Sequence, residues 1–321
     1  MKFLDTLAAA AIALAAVLPA TSLPASSQAA DATLRYGHVN SGSADPLDEI
    51  GWGLHRGIIQ EELKKIGITE ITVAPGMVGP DLNDALNSGS LDLVTYGDGP
   101  AVVARAIGTP TRLIDFSSVK RQTIIVTRPD WPQDLKSLDG KKIAVVVGST
   151  MHRQADEFLK NNGVNATFVS GGNDLSLLQS GTVDAIAGWP YSAPLHLLIH
   201  NNGYRIVFDS ADHPGYAWSL LSVATEDTLE RHPDLPRAWG AARARATEDL
   251  LANQDDFYAW YASKTGVDVE LAKALFPADQ IARGTEEEFA EGEKLIESAK
   301  SILFKNGRIP DDFPVADWIA R

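Results

Sequence analysis

The sequence predicts an α/β protein of two similar lobes, each a mostly parallel sheet flanked by helices. Short apolar runs alternate with helical patterns along most of the chain, which is the grammar of parallel β-α units. Leu86-Asn87-Ser88-Gly89-Ser90-Leu91-Asp92 is echoed by Leu178-Gln179-Ser180-Gly181-Thr182-Val183-Asp184 at a constant offset of 92 residues. Chance reuse of Ser-Gly in helix-to-strand loops is the alternative source of that echo. The length, 321 residues, is enough for two domains of ordinary size.

Composition narrows the function classes. The chain is 45% hydrophobic and 22% charged, the balance of a globular protein. A net charge of -14 and the lack of a basic cluster argue against nucleic acid as a partner. There is no cysteine, so disulfides, thiolate metal sites and thiol nucleophiles are excluded. His38, His152 and His196 do not sit at metal-ligand spacing, and no metal or cofactor is expected. Near the start, Leu7 to Leu18 is an unbroken run of Leu, Ala, Ile and Val, followed by small and polar residues to Ala30. This reads as a signal peptide over residues 1–29, cleaved after Ala29; the apolar run is too short to span a membrane comfortably.

The elements follow in order. Leu34 to Val39 is a strand, and Asn40-Ser41-Gly42-Ser43 a polar loop. A helical pattern runs from about Pro46 to Ile66, where Gly67 stops it. Glu70 to Ala74 is the second strand, Gly79-Pro80 opens the next helix, and Leu91 to Tyr96 is the third strand. Gly97-Asp98-Gly99-Pro100 then leads into a helix over Ala101 to Ile107. Phe116 to Val119 reads as a crossover and Gln122 to Thr127 as a strand entering the second lobe. Ile143 to Val147, Met151 to Asn161, Ala166 to Ser170 and Leu175 to Gln179 repeat the pattern of the first lobe. Leu220 to Thr225 is expected beside Ile124 to Thr127. Helices follow over 226–230, 235–253, 255–265, 269–275 and 286–306, expected to return and cover the first lobe. The expected lobes are residues 30–118 with 226–321, and 119–225.

Gly148-Ser149-Thr150, between a strand and a helix N-terminus, has the parts of an anion site: unpaired backbone N–H groups, a favourable dipole and two hydroxyls. The same residues also suit a plain helix cap.

Three blocks carry a resemblance to a known family. They are Leu82 to Pro100, Leu135 to Ser149, and Leu178 to Tyr191 with its aromatic pair Trp189 and Tyr191. In this order, behind an export signal, the chain resembles the periplasmic solute-binding proteins of ABC importers for aliphatic sulfonates, taurine and nitrate. The resemblance implies a two-lobe clamshell of the type II class, closing by hinge motion on a small anionic or zwitterionic solute. It also implies a monomer in the periplasm, delivering its ligand to an ABC importer permease. Ligands in such sheets sit beyond the carboxyl ends of strands. Ser149 and Thr150, with Gly148, would hold an oxyanion head group, and Asn40, Ser41 and Ser43 would face it. Trp189 and Tyr191 would pack on the organic part, with core packing as their alternative, and Trp218 would line the cleft. Gly97 and Asp98 lie at the third strand end, where Asp98 either caps the following helix or meets the ammonium of taurine. A cleft arginine is expected for a sulfonate, with Arg121 and Arg153 the candidates. An aliphatic sulfonate or taurine is the expected ligand. Nitrate, an aromatic acid or a thiamine-type pyrimidine is the alternative. Enzymes that make a thiamine pyrimidine share this fold by resemblance but use a cysteine-rich motif, so no enzyme activity is expected.

Overall fold

A computed structural model describes residues 32–39, 43–172, 174–277, 281 and 284–321. The expected signal segment, Asn40 and Ser41 lie outside them. Strands β1 (Thr33–His38), β2 (Glu70–Val73) and β3 (Leu93–Gly97) are parallel and joined through helices α1 (Glu49–His55), α2 (Ile58–Lys64) and α3 (Gly79–Asn87). Helix α4 (Asp98–Ala106) leads to the long strand β4 (Thr111–Arg121). The second lobe holds β5 (Ile124–Thr127), β6 (Lys142–Val145), α5 (Thr150–Asn161), β7 (Thr167–Ser170), α6 (Leu175–Gln179), β8 (Ala185–Gly188), α7 (Ala193–Asn202) and β9 (Arg205–Asp209). The chain returns as β10 (Trp218–Thr225). It then forms α8 (Glu226–Arg231), α9 (Leu235–Ala252), α10 (Gln254–Thr265), α11 (Val269–Leu275), α12 (Glu286–Lys305) and α13 (Val315–Trp318).

The sheet orders are β2-β1-β3-β10-β4 and β7-β6-β8-β5-β9. Each has three parallel strands followed by two that run antiparallel to their neighbours. The sequence echo is also a structural one. Gly89 and Gly181 both adopt the left-handed conformation, with φ 69° and 76°, that ends a helix at little cost only for glycine. The hydroxyls of Ser88 and Ser90 lie 2.9 Å apart, as do those of Ser180 and Thr182. Asp92 accepts from the Arg35 backbone N–H at 2.8 Å, and Asp184 from that of Lys142 at 3.0 Å. The carboxylates thereby tie the start of β3 to β1 and the start of β8 to β6.

Three expectations are corrected. The helical pattern over 46–66 is two seven-residue helices, because Gly57 takes φ 77° between them. Val146 and Val147 lie beyond β6, with Val147 47% exposed, as the chain turns towards Gly148 at φ 83°. Leu220 to Thr225 does not pair with Ile124 to Thr127; it runs in the first sheet between β3 and β4. All eight residues of β10 are buried, which suits a central strand covered on both faces. The place beside β5 is taken by β9, an apolar run of Ile206, Val207 and Phe208.

The returning helices cover the first sheet as expected. Leu221 and Val223 pack with Phe289, Ile296 and Leu303 of α12, and Ala224 with Trp239 and Ala242 of α9. Ser222 bonds Thr95 at 2.8 Å and receives the Trp239 indole N–H at 3.1 Å. The Arg243 guanidinium of α9 grips Asp115 of β4 with two bonds, 2.5 and 3.0 Å, both side chains buried.

A polar clasp joins the lobes. Asp98, at the start of α4, is 0% exposed. Its carboxylate accepts from the Thr150 hydroxyl at 2.9 Å, the Arg153 guanidinium at 3.2 Å and the Ser219 backbone N–H at 3.1 Å. The Thr150 hydroxyl in turn accepts from the Gly99 N–H at 2.8 Å. Gly97 and Gly99 must lack a side chain here, since a Cβ would stand 2.6 and 3.0 Å from that hydroxyl oxygen.

Two predictions follow from this packing. Asp115→Ala strands the Arg243 charge and should cost about 3–5 kcal/mol of unfolding free energy; a loss under about 1 kcal/mol in a urea titration would show the pair to be dispensable. Thr150→Val keeps the shape but removes the hydroxyl from the clasp. It should shift the ligand-free protein away from the closed arrangement by about 1–3 kcal/mol, read as a larger radius of gyration by small-angle scattering. An unchanged radius would mean that other contacts hold the lobes.

Candidate functional site

The last residues of β4 line a cavity of about 410 Å³ between the lobes. Ser117 to Gln122 form one wall, Glu49 at the start of α1 another, and Trp189 and Tyr191 just after β8 a third. Leu275, Phe276, Pro277 and Ile281, with Glu288 of α12, complete it. Lys120 is left-handed at φ 59°, an uncommon conformation for a residue with a side chain. Lys120 is exposed, whereas Arg121 lies in the cleft.

Arg121 is the centre of the cavity's chemistry. Its guanidinium lies over the Trp189 ring at 4.3 Å from the centroid and 5.6 Å from that of Trp218. Ladder register puts Trp218 opposite Arg121, and the Trp218 indole N–H is anchored on the Gln122 carbonyl at 3.0 Å. Burial presses the Arg121 guanidinium below its ordinary value, while the nearby carboxyls of Asp48 and Glu49 pull it up. An arginine stays protonated under such opposing effects. Among the described residues it has no hydrogen-bonded or ion-paired carboxylate. A guanidinium held by two indole faces keeps its in-plane N–H donors for a ligand.

Two further groups sit at the wall. The Ser117 hydroxyl is buried without a hydrogen-bond partner among the described residues. Glu49 is 4% exposed, and its Oε1 also lacks a partner there. Burial, then the Asp48 charge, push the Glu49 carboxyl up to about 8, against the pull of Arg243 and Arg121. It is therefore mostly uncharged at neutral pH and does not cancel the Arg121 charge. Asp48 fixes the backbone here by accepting from the N–H groups of Ile50 and Gly51 at 3.1 and 3.2 Å.

The residues singled out from the sequence divide into three groups. Trp189 and Tyr191 line the cavity, their rings edge-on at 5.6 Å, and Trp218 backs Arg121. Gly97, Asp98 and Thr150 belong to the clasp. Gly97, not Asp98, is the capping residue of α4, and Arg153 pairs with Asp98 and lies away from the cavity. Ser149 accepts from the His152 N–H at 3.1 Å as the cap of α5, and Gly148 donates to the His152 ring at 3.2 Å. Ser43 accepts from the Asp45 N–H at 3.2 Å. Ser117, Glu49 and Phe276 were not foreseen. Their only sequence signals were a Ser-Ser pair inside an apolar strand and an acid beside a capping Asp. Among the described residues no three histidine or acidic side chains gather as a metal site.

A protein of Escherichia coli named as an aliphatic sulfonates-binding protein is 31% identical over 144 residues, 42% of this chain and 44% of that relative. The chain spans about half the length of the curated relatives it matches. The alkanesulfonate-binding protein SsuA from Xanthomonas axonopodis pv. citri, bound to MOPS, superposes with a TM-score of 0.74 at 19% identity, covering 90% of this chain and 98% of that one. The desulfurization enzyme DszB superposes with a TM-score of 0.64 at 15% identity, covering 90% and 96%. At these identities the likeness to both structures is one of fold. The model of the family described as NMT1/THI5-like matches residues 67–257, more than half of the sequence, and the chain belongs to that family.

Proposed function

We propose that this chain is the exported solute-binding component of an ABC importer, and that it captures a small organic sulfonate between its lobes. The observation that carries this is Arg121: a cation without a carboxylate partner among the described residues, stacked on two indoles at the wall of a cavity of about 410 Å³. That volume is typical of organic-ligand sites, which run to roughly 300–1,000 Å³. A bare nitrate would leave most of it empty. The apolar wall of Leu275, Phe276, Pro277 and Ile281 suits a carbon body. Arg121 and the Ser117 hydroxyl supply donors for the oxyanion.

The same electrostatics favour a plain sulfonate over taurine. An ammonium needs a charged carboxylate, yet Asp98 is sealed in the clasp, Glu49 is mostly neutral at pH 7, and Glu288, the other carboxyl of the cavity wall, is engaged with the Thr285 N–H in the capping box of α12. Binding is favoured over turnover because the curated relatives are named as aliphatic sulfonates-binding proteins. The apolar run near the N-terminus supports export to the periplasm.

Thermal melting of the mature protein against ethanesulfonate, an aromatic sulfonate, taurine, nitrate, a dicarboxylate and a pyrimidine tests the reading. A sulfonate at about 1,000 times its dissociation constant should stabilise by roughly 4 kcal/mol, a shift of several degrees. Arg121→Met should weaken sulfonate binding by about 1.5–3 kcal/mol, roughly ten- to a hundredfold. Sulfonates without effect, or full affinity in Arg121→Met, would sink the assignment.

A further inference from the structure

We propose that Glu49 stands in the cavity wall as an uncharged carboxylic acid and donates its hydroxyl to the bound anion, so that the site selects singly charged oxyanions. This rests on the anion-binding reading above. Glu49 lines the same cavity as Arg121, is almost fully buried, and leaves Oε1 without a partner among the described residues. A buried polar atom without a partner is costly unless something completes it. A carboxylate in that place would repel an anion, whereas a carboxylic acid adds a donor.

The surrounding charges are compatible with this. Asp48 precedes Glu49 in the chain and disfavours a second negative charge. Arg243, from α9, favours ionisation, but its own charge is held in two bonds by Asp115. Arg121 favours ionisation across the cavity, yet no hydrogen bond or ion pair joins it to Glu49 among the described residues. Lys120, Tyr191 and Glu288 line the cavity as well. When an anion meets Arg121, the pull of that cation on Glu49 is neutralised and the acid form is favoured further. Arg121 with the neutral donors of Ser117 and Glu49 then matches one negative charge, while Lys120 and Glu288 add one charge of each sign to the wall.

The sign of the pH dependence follows. In the ligand-free protein the carboxyl sits at about 8. Below that value the donor is in place and affinity is level. Above it the carboxyl must regain a proton to bind, so affinity falls by up to roughly tenfold per pH unit. Ethanesulfonate stays ionised throughout and supplies no proton of its own. Its affinity should be measured by calorimetry from pH 6.5 to 9.5 for the wild type and for Glu49→Gln, whose amide N–H replaces the donor without titrating. The expected result is a wild type that loses about tenfold between pH 8.5 and 9.5, and a variant that binds within a few-fold of wild type at pH 6.5 and stays flat. A flat wild type, a variant that keeps the loss, or affinity that rises with pH overturns the donor role while leaving the anion site standing. No binding at any pH by folded wild type overturns the anion site and this role together.

Discussion

The antiparallel pairing of β4 with β10 sets Trp218 opposite Arg121. Both connections between the lobes begin or end on these two strands, β4 leading to β5 and β9 leading to β10. The ladder therefore settles where the chain leaves one lobe, where it comes back, and which side chains stand at the crossing. Trp189 arrives from the other lobe to cover the second part of the guanidinium. A cation with so little solvent needs such support, because desolvation alone would make it costly. Here the indole faces, the polar groups along the end of β4 and the nearby Asp48 share that task.

Much of this was legible in the sequence, and the limits have a physical cause. The parallel units were readable because the strands are short runs, β3, β7 and β8 closed by Gly or Ser, and the loop before the third strand recurs at Asp92 and Asp184 with the same backbone bond. The C-terminal helices were readable from their periodicity. The partner of β10 was not, because a strand buried along its whole length carries no record of its neighbours. Arg121 was a candidate with no place, since its role depends on Trp218 and Trp189, far off in the sequence. Glu49 offered only an acid beside a capping Asp, because its perturbation comes from burial, a tertiary property. Ser149 and Thr150 had the right chemistry for a helix end, but Ser149 caps its own helix and Thr150 reaches the facing lobe.

The clasp and the cavity divide the cleft between two kinds of polar contact. At the clasp, Asp98 has donors from Thr150, Arg153 and Ser219, and the glycines beside it allow close approach. Within the cavity, Ser117 and Glu49 keep atoms without partners among the described residues.

The strand order has a consequence for the order of assembly. β5 to β9 form a continuous stretch of chain, so the second sheet can close as soon as that stretch exists. The first sheet cannot. Its fourth strand, between β3 and β4, is β10, and the Thr95–Ser222 bond joins residues 127 positions apart. Until β10 arrives, β3 and β4 have no ladder between them, and the apolar faces that α9 and α12 will cover stay open. The lobe that begins first along the chain is thus the one that must finish last. The loop closure it requires spans the whole of the other lobe.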